Sequence, residues 1–211
     1  MALVVSGQNQ PMPEKEQLSD QLERWLGGDQ PKTLGSLIDL FGERSFAVLF
    51  VLLMALPALP LPTGGVTHVF ELIVMLVALQ LVAGRREVWL PERWKRRDIS
   101  STIRGRFTER LLRLIRWLER HSMARLAVLI TNRLSRMIFG VVALAFALTA
   151  FLAPPFSGLD TLPALGIVVL SIGVILGDSL LALGGVLIGA VGVTLVLVLG
   201  RATYEGIGSL F

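Results

Sequence analysis

The sequence predicts an all-α fold: a polytopic helical membrane protein with two tandem helical hairpins, Pro/Gly-rich turns at their tips, and a C-terminal transmembrane helix. Three observations predict it. Of the 211 residues, 53% are hydrophobic and mean hydropathy is +0.68, a composition typical of integral membrane proteins rather than of soluble domains. The apolar segments are broken by Pro and Gly in a pattern that recurs along the chain. Finally, charge is confined: residues 85–136 carry fifteen of the twenty Lys and Arg against five acids. A sequence pI near 10.3 therefore reflects one basic stretch between apolar segments, which argues for membrane topology and against nucleic acid as a partner. With no cysteine, disulfides and thiolate metal sites are excluded.

Residues 1–45 are expected to form a cytoplasmic N-terminal segment with short amphipathic helices. No early Lys or Arg precedes the apolar run at residues 2–5, which is too short for a signal peptide. A first amphipathic helix is expected over residues 18–26, ended by Gly27, Gly28 and Pro31. A second, over residues 33–43 (TLGSLIDLFGE), places apolar side chains at 34, 37, 38 and 41, the pattern of an interfacial helix.

Residues 46–84 read as the first membrane hairpin, with arms over 46–56 and 66–83. Pro57, Pro60 and Pro62 cannot donate backbone hydrogen bonds, and Gly64 and Gly65 permit a sharp reversal. A full crossing takes about 20 residues, so the first arm reaches half-way unless it continues kinked through the prolines. Either both arms span and the turn lies at the outer surface, or the hairpin is re-entrant and its tip needs a polar or water-lined cavity.

Residues 139–177 can be laid on residues 46–84 without a gap, at an offset of 93. Identity is weak, at seven of thirty-nine pairs, so the evidence for an internal repeat is the shared punctuation: Pro62 on Pro155, Gly65 on Gly158, Gly84 on Gly177. Thr67 falls on Asp160.

Residues 85–136 form a basic linker, cytoplasmic by the positive-inside rule, with Trp89, Trp94 and Trp117 as a headgroup-level belt. Within it, residues 103–120 put Ile103, Phe107, Leu111, Leu114 and Leu118 on one helical face and Arg106, Arg110 and Arg113 on another. These arginines suit recognition of an anionic lipid or a lipid-linked sugar; a topology anchor accounts for them as well.

Residues 137–211 hold the second hairpin, with arms over 137–153 and 163–177, and a last helix over 180–200 after a turn at Asp178. Gly173 and Gly177, like Gly185 and Gly189, have the small-xxx-small spacing of close helix contacts, and Gly184 and Gly192 widen that surface. Packing within the monomer is the expected use, a homodimer the second. Five crossings follow if every arm spans, with the two repeats parallel.

The run TLGSLIDLFGERSFAVLFVLLMALPALPLPTGG, followed by ALQLVAGRREVWLP, resembles the exopolysaccharide-synthesis ExoD family. Gly42-Glu43-Arg44, Ala55-Leu56-Pro57, Ala78-Leu79-Gln80, Gly84-Arg85 and Trp89-Leu90-Pro91 carry the resemblance, while Glu71 and Ile73 depart from a small residue and a proline expected there. The resemblance implies a bacterial inner-membrane protein affecting polysaccharide production, and no catalytic residues.

Five polar residues in apolar surroundings are the candidate site: His68, Glu71, Gln80, Asp160 and Thr161. His68 can exchange a proton near neutral pH, and Glu71 and Asp160 can hold a proton or a monovalent cation. If the two turns meet, these groups meet. Alternatively His68 and Asp160 sit in water at the outer ends of their helices, with Asp160 or Thr161 as a helix cap. No HExxH, GxSxG or Walker motif is present, so an enzyme is not expected, nor is a cofactor. Membrane transport or glycolipid translocation through a polar cavity between the hairpins is the leading reading. The rival is a non-catalytic structural partner of a polysaccharide assembly complex, and a third reading is a membrane enzyme whose carboxylate acts as acid or base on a lipid-linked sugar.

Overall fold

The computed structural model describes residues 18–60, 65–98, 113, 116, 132–154 and 157–208. Among them the fold is all-helical, its one β feature an isolated antiparallel bridge between Thr33 and Asp98. The chain starts with two short helices, α1 (Leu18–Gly27) and α2 (Leu34–Phe41). Thr33 caps α2 in a reciprocal box: its Oγ1 accepts from the Ser36 amide at 3.2 Å, and its own amide donates to Ser36 Oγ at 3.1 Å. Leu22 and Trp25 of α1 pack on Leu37 of α2 as a small separate core. Lys32 ties the end of α1 down, its ammonium donating to the carbonyls of Trp25 and Gly28 at 2.6 and 2.5 Å.

A 3₁₀ turn (Gly42–Arg44) leads into α3 (Ser45–Met54), which matches the expected first arm. The chain does continue past it through Pro57: Ala55 donates to the Val51 carbonyl and Ala58 to that of Met54, both at 2.9 Å. One further turn brings the arm to about 20 Å. Helix α4 (Val66–Val82) returns, and α5 (Glu92–Lys95) is a single turn in the linker. After the linker come α6 (Arg133–Leu152), α7 (Thr161–Leu176) and α8 (Ser179–Gly208). Of these helices α6 and α8 are long and apolar enough to cross a membrane; α3, α4 and α7 are apolar but shorter.

The core is a ring of four helices. Helix α3 packs on α4 and α7, and α6 packs on the same two, so each hairpin's first arm touches the other hairpin's second arm. Phe46, Phe50, Met54, Val74, Leu81 and Ile167 fill its centre, with the Phe50 and Phe139 rings edge to face at 5.5 Å. Helix α8 lies outside this ring against α7 and α6. Both hairpin turns therefore stand at one end of the bundle, and both residue pairs at offset 93 adopt left-handed backbone: Gly65 and Gly158 at φ 86° and 67°, Gly84 and Gly177 at 85° and 70°. Only Gly takes such angles without steric cost.

Glycine sets how closely α7 and α8 approach. A methyl on Gly166 would lie 2.5 Å from the Gly189 Cα, and one on Gly192 2.5 Å from Pro163 Cδ. Gly184 differs from the expectation for it: nothing lies within 4 Å of its side-chain position, so it belongs to the outer face. Gly185, one residue on, faces Leu170 instead.

Arg106 and Arg110 lie outside the described residues. Arg113 and Arg116 are helical and exposed, and the Arg116 guanidinium pairs with Glu23 of α1.

Candidate functional site

Three elements meet where the hairpin turns converge: the first turns of α4, the start of α7 and the end of α6. Gly65, left-handed, opens α4 with no side-chain cap, so Thr67, His68 and Glu71 occupy its first two turns. Thr67 and Glu71, four residues apart, both face the core; Thr67 is buried and Glu71 has no exposed surface at all. Five residues into the helix, Glu71 sits about 7 Å below its start.

The Glu71 carboxylate takes one partner from its own helix: His68 Nδ1 lies 2.8 Å from Oε2. The other oxygen, Oε1, has no hydrogen-bond partner among the described residues. Burying a carboxylate removes hydration worth several kcal/mol, which one hydrogen bond does not replace. The imidazole leans on the Phe151 ring of α6, centroids 5.5 Å apart. It keeps 25% of its side-chain surface exposed, so His68 lies between Glu71 and the outside.

Asp160 approaches from the other hairpin. Thr67 Oγ1 donates to Asp160 Oδ2 at 3.5 Å, a long contact between residues ninety-three apart. The capping alternative fails for Asp160. Asp160 holds the N-cap position of α7, which starts at Thr161, but its backbone is helical and its side chain makes no cap hydrogen bond. Pro163 is the third residue of α7, inside the first turn where a missing amide is tolerated.

The arrangement thus brings together His68, Glu71 and Asp160, with Thr161 beside them in sequence at the head of α7. Gln80 is not with them. It sits near the other end of α4, and its side-chain amide spans the backbone of Trp89, accepting from the amide at 2.8 Å and donating to the carbonyl at 3.2 Å. Its role is to hold the linker against the helix. Thr67 is the residue that sequence reasoning passed over. Its alignment on Asp160 was visible, but residues at matching repeat positions meet only where they lie on the axis relating the two halves, and a sequence does not show which positions those are. Chemically, two carboxylates, an imidazole and a hydroxyl at the mouth of an apolar bundle can hold a proton. No group of three or more His, Asp or Glu in metal-binding geometry occurs among the described residues.

The sequence profile described as "Exopolysaccharide synthesis, ExoD" matches residues 18–198. Protein ExoD of Rhizobium meliloti (strain 1021) is 31% identical over 159 residues, covering 72% of this chain and 64% of that protein. An uncharacterized Synechocystis protein, slr1875, is 30% identical over 169 residues, 78% of this chain and 79% of that one. No solved structure matches.

Proposed function

The chain belongs to the exopolysaccharide-synthesis ExoD family, and from that premise we propose that it is a multi-pass transport protein of the bacterial inner membrane. In this reading His68, Glu71 and Asp160 bind a proton or monovalent cation whose passage drives a substrate of polysaccharide production, a lipid-linked sugar, across the bundle. The N-terminus and residues 85–136 face the cytoplasm, in keeping with the positive charge of the linker.

One observation carries the proposal: a carboxylate with no exposed surface, half-satisfied by His68, at the mouth of a bundle whose outer faces are apolar. Val69, Leu72 and Leu76 of α4, Ile138 and Val141 of α6, and Leu183, Leu187 and Val191 of α8 all point outward and are exposed. Apolar area on this scale suits lipid, and in lipid a buried carboxylate calls for a proton or cation.

Reconstitution in liposomes with an internal pH-sensitive dye tests it. Proton or cation flux is expected from wild type and is abolished by Glu71→Gln and reduced by Asp160→Asn, both of which keep size and remove charge. Flux unchanged by both, in folded protein, overturns the coupling role.

A further inference from the structure

At the opposite end of the bundle from the ion site, where α4 ends and α6 begins, two arginines and a tryptophan share one corner. Gly84 turns the chain out of α4 in left-handed backbone. The Arg133 guanidinium, from the first residue of α6, lies across that turn: a methyl on Gly84 would stand 3.4 Å from its Nη2 and 3.5 Å from its Nε. Arg85 follows Gly84 directly, its guanidinium carbon 6.0 Å from the centre of the Trp89 ring. Both arginines are exposed, and among the described residues neither pairs with a carboxylate. Arg86 and Glu87, also exposed, offset each other and leave the charges of Arg85 and Arg133 in excess. Trp89 is held outward. Its neighbours Val88 and Leu90 turn inward, the first buried and the second packed on the main core, while Gln80 binds both polar groups of the Trp89 backbone, at 2.8 and 3.2 Å. The indole between them is 57% exposed.

We infer that this corner binds the phosphodiester headgroup of an anionic glycerophospholipid in the cytoplasmic leaflet, its phosphate held by Arg85 and Arg133 and Trp89 at the level of the headgroups. Three observations select this occupant. Two guanidiniums without a carboxylate between them complement a negative charge, and their forked donors match phosphate oxygens. The corner stands at the level where headgroups lie: the 17 residues of α4 carry it about 25 Å from the hairpin turn, against about 30 Å for the hydrocarbon core of a bilayer. Apolar surface runs up to it on both helices, through Leu76 and Leu79 of α4 and from Leu134 and Ile138 of α6, all exposed. An indole, with its apolar body and polar N–H, belongs at the edge of such a surface, where hydrocarbon meets water. A soluble phosphate would use the two cations and leave Trp89 and Leu79 against water.

The inference rests on the membrane placement proposed above, and on nothing at the ion site. It is tested on full-length protein in which Trp25, Trp94 and Trp117 are replaced by Phe, leaving Trp89 as the one tryptophan. This protein is reconstituted in mixed vesicles of phosphatidylglycerol and phosphatidylcholine with matched chains. Bromine, which quenches indole fluorescence on contact, is carried near the head of the chains of one lipid or of the other. Molecule for molecule, brominated phosphatidylglycerol is expected to quench Trp89 about fivefold more effectively, the preference that one cation near a membrane surface confers. Arg85→Gln together with Arg133→Gln levels the two lipids. Equal quenching before those substitutions overturns the inference, as does a preference that survives them. Quenching by neither lipid refutes the membrane placement itself. The same two substitutions in the otherwise unaltered chain give a reading free of the Phe replacements, with retained lipid counted by native mass spectrometry. There wild type is expected to keep phosphatidylglycerol over phosphatidylcholine and the double variant to keep both alike; wild type keeping both alike overturns the inference.

Discussion

Alanine at Gly166 and alanine at Gly184 are expected to move stability in opposite directions, though both replace a glycine within an apolar helix. At Gly166 the new methyl lies 2.5 Å from the Gly189 Cα and 2.6 Å from its nitrogen. Carbon atoms rest at about 3.5–4 Å, so α7 and α8 must part by about 1 Å. Both obstacles are backbone, so no side chain can swing aside. The neighbouring contacts at Gly185 and Gly192 open with them. Overpacking of this kind costs about 3 kcal/mol at the upper end of its range, from which the better helix propensity of Ala subtracts about 1. A net loss of about 2 kcal/mol is expected. Gly184 has nothing within 4 Å, so only the propensity gain remains, about 0.5–1 kcal/mol in favour of the variant. Unfolding of purified protein in mixed micelles, followed by circular dichroism as sodium dodecyl sulfate is added, measures both. Equal effects of the two substitutions, or Gly184→Ala as the more damaging, would refute the packing of α7 on α8 described above.

Three further expectations concern the polar residues. His68→Ala strips Glu71 of its one identified hydrogen bond and is expected to destabilise by about 2 kcal/mol in the same titration. Adding Glu71→Leu should recover more than half of that loss, and no recovery would mean that His68 acts by packing on Phe151 alone. Gln80→Ala removes both bonds to the Trp89 backbone, so exchange of the Trp89 amide should quicken about tenfold by hydrogen–deuterium exchange; unchanged exchange contradicts the clamp. Because the chain lacks cysteine, single cysteines at Ser101 and Ser157 report sidedness. Labelling from the cytoplasmic side at 101 and from the other side at 157 is expected, and the reverse pattern would invert the orientation.

Helix ends were legible where they depend on local chemistry. Thr33 with Ser36 three residues on marks the start of α2, and Gly65, Gly84, Gly158 and Gly177 mark reversals that the backbone makes at positive φ. Whether His68, Glu71 and Asp160 meet was left open by the shared offset of those same glycines, since two matched turns need not lie at one end of a bundle. Rotational phase was not legible either. Helix α8 is apolar on all sides, so nothing in its sequence separates Gly184, which faces outward, from Gly185, which faces α7. Gln80 went astray for a related reason: a glutamine in an apolar helix looks like a site residue, and its partner is the backbone of a residue nine positions on. Backbone acceptors leave no mark on a sequence. The Asp160 reading turned on backbone conformation: the residue stands at the N-cap position of α7, but in helical rather than extended backbone, and its carboxylate makes no cap hydrogen bond.

The Thr67–Asp160 contact has a meaning that neither residue has alone. Were two identical hairpins to pair about a two-fold axis, the residue at this position would meet its own copy. Two aspartates there would repel, and two threonines would leave that contact without a charged acceptor. A single chain carrying both hairpins is released from that self-pairing rule: one copy can become the hydroxyl donor and the other the carboxylate acceptor. The same freedom reaches Glu71, whose counterpart at the offset is Ala164, so the buried acid is supplied by one half alone. Joining the halves in one polypeptide thus permits a lopsided centre inside a nearly symmetric frame. A lopsided centre can distinguish a ligand's two ends, which a strictly symmetric one cannot.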